Sequence, residues 1–181
     1  LAGADLGLVA PLQYGEYLGW QADNLFATAR AYWLGQFHEE VPRLEWPADR
    51  PRPALRSYSG GRIARPIDDR LNIQIKELSR HQGSTLFMTL FAVYALFLHR
   101  ISNQHDILVG IPVAGRSLPR GETVVGYCTH LLPVRSSFDA AQPFTDYLKV
   151  TRGTLLRAYQ HQDYPFARLI EEIGVKRDGS G

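Results

Sequence analysis

The chain has 181 residues, enough for one domain or for one lobe of a larger one. Apolar residues make up 45% and charged residues 21%, so it can bury a core and hold an ordered fold. The net charge is +2 and the arginines are scattered, with no run of five basic residues, which argues against nucleic acid as a partner.

Cys128 is the lone cysteine, so there is no intrachain disulfide and no cysteine-based zinc site. That usage fits a reducing cytoplasm. The longest apolar run, 86–98, is too short to cross a bilayer, and the first residues lack the basic start of a signal peptide. The chain starts on leucine and finishes on glycine after Asp-Gly-Ser. The expectation is a piece cut from a longer chain.

Residues 1–13 read as a lead-in loop. From 14 to 40 the pattern is helical, with Leu18, Leu25, Ala29, Tyr32 and Trp33 on one face. Gly15, Gly19 and Gly35 weaken it, so a break is expected, and Pro42 stops it. Residues 42–59 form a linker in which Pro42, Pro47, Pro51 and Pro53 favour extended or turn backbone. Residues 60–67 read as a strand, with Pro66 at its end or on an edge.

Residues 68–82 read as an amphipathic helix capped by Asp68. Leu71, Ile75 and Leu78 are its expected buried stripe, and Gly83 closes it. A second helix starts at Ser84 or Thr85 and runs to about 101. It is apolar around most of its circumference and is expected to be central.

The chain is organised around 106–135. It holds two apolar runs, 107–113 and 127–134, joined by a loop with Gly115, Arg116, Pro119, Arg120 and Gly121. The first run reads as a strand covered on both faces. The second reads as a strand that runs out through 136–138. Pro143 opens a helix with Phe144, Leu148, Leu155 and Tyr159 inward. Residues 161–165 break it, 165–173 form a short helix ended by Gly174, and 176–181 read as loop. This order of strands and helices is an α/β layer arrangement.

The chemical candidates are few. None of the six histidines has a second ligand at metal-binding spacing, and there is neither a Gly-x-Ser-x-Gly elbow nor a phosphate-binding glycine loop. Cys128 lies in an apolar run, where inert core is a better reading than nucleophile. His130 is a polar ring in the same run; it lines a cavity or is a satisfied core histidine, and both readings stand. His161 reads as a helix C-terminal cap rather than a catalytic base. By themselves the residues describe a soluble α/β lobe with its function open.

The motifs say more. Gln13-Tyr14-Gly15-Glu16-Tyr17 with Trp20-Gln21 resembles a Tyr-x-Asp-Tyr-x-x-Trp-Gln segment, with Glu16 in place of Asp. Tyr32-Trp33, the Pro-rich stretch 44–53, residues 85–90 and residues 106–116 match in the same order. Residues 125–135 resemble Ile-Gly-x-Phe-Val-Asn-Thr-x-x-x-Arg, and residues 161–166 match His-Gln-Asp-x-Pro-Phe. Arg177-Asp178 opens a further segment. Together these resemble the condensation domain of nonribosomal peptide synthetases over nearly the whole chain.

The resemblance implies an α/β, chloramphenicol acetyltransferase-like fold. This chain would supply a two-layer lobe with helices packed on a mixed sheet. Residues 1–41 would end the first lobe, 42–59 would cross over, and 60–181 would form a truncated second lobe. The implied activity joins a donor acyl or peptidyl thioester to an acceptor aminoacyl amine. Both substrates would ride on phosphopantetheine arms, so no cofactor would bind directly. The implied partners are donor and acceptor carrier proteins, the missing first lobe and adjacent synthetase domains, with no nucleic acid and no membrane, in the cytoplasm.

The family's His-His-x-x-x-Asp-Gly motif supplies its general base, and no His-His pair occurs in this chain. The expectation is therefore no catalytic residue here and no turnover by the chain alone. The family usually has Asn at His130 and an aromatic at Cys128, which places both on the substrate tunnel. Arg135, His161, Asp163 and Pro165 fall to structural roles, Arg135 and Asp163 as ion-pair or cap residues. Two other expectations remain: a non-catalytic docking or scaffold lobe, and the same lobe of a cyclising or epimerising relative.

Overall fold

The computed structural model describes residues 10–24, 26–50 and 59–175. The expected loops at 1–9 and 176–181, the centre of the Pro-rich linker and Leu25 lie outside the described residues. In chain order the elements are α1 (Tyr14–Asp23), α2 (Ala27–Gln36), α3 (Asp69–His81), α4 (Leu86–Ser102) and β1 (Asp106–Val113). A 3-10 turn (Gly121–Thr123), β2 (His130–Ser137), α5 (Phe144–Gln160) and α6 (Phe166–Glu172) follow.

The expected break in the first helix is present, but glycine does not cause it. Asn24 ends α1 by donating its side-chain amide to the Trp20 carbonyl at 2.6 Å, and Phe26 sits at φ +44 ahead of α2. The buried ring on α1 is Tyr17; the expected Leu18 is exposed, because it lies next to Tyr17 on the turn that faces solvent.

Asp68 caps α3 as its sequence position demands, accepting from the Leu71 amide at 2.9 Å. Thr85 caps α4 in the same way from the Met88 amide at 3.2 Å. Leu71 is exposed, so the α3 stripe narrows to half-buried Ile75 and Leu78. The α4 helix is not enclosed on all sides. Ala92 and Ala95 are fully buried, whereas Phe87, Val93, Tyr94 and Phe97 stand half-exposed on the far side.

The strand expected at 60–67 does not form. These residues have no regular structure and are exposed, with Ile63 at 88%. A strand needs a partner ladder, and Pro66 offers no amide to one. Among the described residues the expected mixed sheet is a single antiparallel pair, β1–β2, in register Val109↔Val134. Burial alternates along β1: Ile107, Ile111 and Val113 are buried while Gly110 and Pro112 are exposed. One face is therefore covered, not both as expected, and the pair is stabilised by its helices rather than by further strands. The second strand also starts later than expected, at His130, which leaves Tyr127 and Cys128 in the loop before it.

Helix α4 packs on β1, α5 on β2, and α6 on both β2 and α2. Leu148 and Leu155 of α5 are fully buried against the sheet, as expected. Trp33 of α2, 2% exposed, lies in the same core as Ile107, Leu132 and Leu148. Its indole donates to the His161 carbonyl at 2.8 Å. The core thus runs across the expected boundary between 1–41 and 60–181.

Candidate functional site

Three segments far apart in the chain meet around one cavity of about 340 Å³. Helix α1 brings Tyr14, Tyr17 and Gln21. The end of the loop and the start of β2 bring Tyr127, Cys128, Thr129, His130 and Leu131. Pro165, Phe166 and Ala167 come from the start of α6.

The α1 wall is fixed at its N-terminus, where the Gln13 amide donates to Glu16 Oε2 at 2.7 Å. The Tyr14 and Tyr17 rings stack at 5.8 Å and 17°. Both hydroxyls are spent on the opposite wall: Tyr14 donates to the Tyr127 carbonyl at 3.0 Å, and Tyr17 to the Cys128 carbonyl at 3.5 Å. Gln21 donates to the Tyr17 hydroxyl at 2.9 Å. Burial pushes the Tyr17 phenol up to about 12, with Cys128, Tyr14 and Asp163 adding to the shift. The phenol is neutral at ordinary pH.

The loop is held by its own side chains. Arg116 donates to the Gly121 and Val124 carbonyls, and Arg120 to the Ala10 carbonyl. Leu118, Val124 and Cys128 bury against Tyr17 in a satellite core. Gly115 sits at φ +63, and a Cβ there would fall on the Cys128 carbonyl and 2.8 Å from His130 Nδ1. The close approach of loop and strand needs that glycine.

His130 meets two backbone carbonyls. Nε2 lies 2.5 Å from the Gln162 oxygen and Nδ1 lies 3.4 Å from the Cys128 oxygen. The shorter contact assigns the ring proton to Nε2. His130 thus ties the start of β2 to the turn before α6 while its ring borders the cavity. Cys128 is 4% exposed and also borders it.

The other expected residues lie around this core. His161 is the C-cap of α5, and its ring stacks on Tyr32 at 4.3 Å. Pro165 is the N-cap of α6 and a cavity wall. Asp163 is half-buried near Tyr17 and makes no hydrogen bond or ion pair with the described residues. Arg135 is remote from the cavity: it chelates Asp106 at 2.6 and 2.9 Å and donates to the Gln36 carbonyl at 2.8 Å. Among the described residues no group of three or more His, Cys, Asp or Glu could hold a metal ion. Sequence reasoning missed the wall residues Tyr14, Tyr17, Tyr127 and Phe166. The available signal was that the matched motif segments are rich in aromatics.

The family model described as Condensation domain matches residues 3–181. The chain belongs to the condensation domain family. It is 37% identical over 171 residues to tyrocidine synthase 2 of Brevibacillus parabrevis, covering 92% of this chain and 5% of that one. It is 36% identical over 171 residues to gramicidin S synthase 2 of Brevibacillus brevis, covering 92% of this chain and 4% of that one. The chain therefore spans under a tenth of the length of these relatives. The solved condensation domain from Monacolin K polyketide synthase MokA superposes with a TM-score of 0.73 at 21% identity. That match covers 94% of this chain and 42% of the solved one. The fold is thus the chloramphenicol acetyltransferase-like α/β fold of condensation domains. Residues from three of the motif segments, 13–21, 125–135 and 161–166, line the cavity.

Proposed function

We propose that this chain is a portion of an amide-forming condensation domain and that its cavity is one wall of the substrate tunnel. In the complete domain an acceptor amine attacks a donor thioester, giving an amide and a free thiol. The observation that carries this reading is the convergence of three condensation-domain motif segments on one cavity. His130 and Cys128 border the bound substrate, while Pro165 and His161 hold the turn that carries the far wall. Arg135 anchors β2 to β1 and α2. Residues 1–41 end the first lobe, 42–59 are the crossover and 60–181 belong to the second lobe; α1 packs on the loop before β2 and α2 on α6.

The substrates ride on phosphopantetheine arms of donor and acceptor carrier proteins, and adjacent synthetase domains and the rest of the first lobe are the other partners. The setting is the cytoplasm. The sequence holds no His-His pair, and among the described residues none is placed as general base, which supports the reading that the chain needs the rest of the domain for turnover. The test is a condensation assay with loaded carrier proteins, on the 181-residue chain and on a complete domain that includes it. Product from the complete domain only is expected. Product from the isolated chain, or none from the complete domain, would overturn the reading.

A further inference from the structure

The cavity lining contains no Lys, Arg, Asp or Glu. Four of its polar side chains are already hydrogen-bonded to the protein, while the Thr129 and Tyr127 hydroxyls, both exposed, make no hydrogen bond to the described residues. The Tyr14 and Tyr17 hydroxyls go to the Tyr127 and Cys128 carbonyls, the Gln21 amide to Tyr17, and His130 Nε2 to Gln162. Beside the Thr129 and Tyr127 hydroxyls the space is bordered by ring surface, Leu131, Cys128 and the apolar start of α6. Burying a charged group there would cost several kcal/mol with no partner to offset it. A volume of about 340 Å³ sits at the lower end of small-molecule pockets and suits a phenyl ring or a medium alkyl chain. Tyr127, 79% exposed, stands at the rim.

Resting on the reading above, we propose that this cavity is a specificity pocket for a neutral apolar group carried on the thioester, and that it rejects acidic and basic ones. The stacked tyrosines and Phe166 supply the contact area, and the lack of any charged side chain to pair with an acid or a base supplies the exclusion.

The proposal is tested by calorimetric titration of the chain with N-acetylcysteamine thioesters of octanoic acid and of N-acetylated phenylalanine, aspartate and lysine. At least one of the octanoyl and phenylalanyl thioesters binds about tenfold or more tighter than the aspartyl and lysyl ones. Which of the two it is tells whether the group is an acyl chain or an aromatic amino-acid side chain. Ala167 is exposed at the cavity wall, so Ala167→Trp fills the space at little cost to the fold and weakens apolar binding about tenfold. Leu131→Lys, also at a partly exposed wall position, raises affinity for the aspartyl thioester. Equal affinity for charged and apolar thioesters, no binding at all, or apolar binding unchanged in folded Ala167→Trp would each overturn the pocket. A complete domain that condenses charged and apolar donors equally well would overturn the pocket while leaving the amide-forming reading standing.

Discussion

Arg135 and Asp106 meet diagonally across the β1–β2 pair. Asp106 lies opposite Ser137, so Arg135 is two residues along on the same face. Its guanidinium takes the carboxylate through Nε and Nη2 and extends Nη1 to the Gln36 carbonyl at the end of α2. One side chain thus ties both strands to the preceding helix. An ammonium cannot reproduce that fork. Arg135→Lys is expected to lower stability by about 1–3 kcal/mol, measured by urea unfolding. A midpoint equal to the parent's would show that the pair is a surface contact of no weight.

Gly115 and Gly19 make a contrasting pair. Gly115 combines a positive φ with a Cβ position already filled by the Cys128 carbonyl, so Gly115→Ala should cost about 2–4 kcal/mol. Gly19 lies inside α1 with nothing within 4 Å of its Cβ position. Gly19→Ala should therefore stabilise by about 0.5–1 kcal/mol. Thermal unfolding of both variants decides it; destabilisation by both would mean that α1 lacks the space seen at Gly19.

The Tyr17 phenol gives a pH prediction. Its folded pKa is raised to about 12 from an ordinary value near 10, chiefly by burial. The folded state holds the proton longer than the unfolded chain, so its stability contribution is complete below about pH 10 and is lost as pH rises toward 12. Tyr17→Phe should lose less stability than the parent between those pH values. Parallel decline of both proteins in denaturant titrations at about pH 9–12 would discount Tyr17 as the group responsible.

The local structure that a few neighbouring residues decide was legible in the sequence. Asp68 and Thr85 announce their helices because a capping side chain acts within one turn. Gly83 and Gly174, both at positive φ, end α3 and α6 as expected. The 60–67 strand was misread because a strand is settled by its partner and no local pattern reports one. The exposed side of α4 escaped notice because apolar composition does not say which face is covered. The cavity was half legible: His130 and Cys128 stood out as unusual residues in an apolar run. The α1 tyrosines needed the fold to bring them across more than a hundred residues to Tyr127 and Cys128.

His130 stands where the resembling family motif has Asn. Its Nε2–H reaches the Gln162 carbonyl, a distance that a shorter amide side chain does not cover in the same backbone. In the complete domain His130→Asn should slacken the turn before α6 and change the relative rates for two acyl donors by about threefold or more. Competition assays with paired donors would read it. An unchanged rate and an unchanged substrate range would remove His130 from the substrate wall.

Gln104 fixes the start of the Pro-rich linker. Its side-chain oxygen accepts from the Glu45 amide at 2.8 Å and its amide donates to the Arg43 carbonyl at 2.9 Å, as a neighbouring strand would. The Gln104 backbone is held in turn by His99, whose Nδ1 meets its carbonyl at 2.7 Å while Nε2 faces Ser136. A buried chain from Tyr147 through Ser136 and His99 therefore ends on the linker. Both linker contacts are exposed, so Gln104→Ala should cost only about 1 kcal/mol globally. Its local effect is larger: the Glu45 amide should exchange with solvent about five- to tenfold faster. Gln104→Glu separates the two contacts, since a carboxylate still accepts from Glu45 but cannot donate to Arg43. Glu45 protection that survives in Gln104→Glu and falls in Gln104→Ala assigns the clamp to that one bond; equal protection in all three proteins would release the linker from Gln104 altogether.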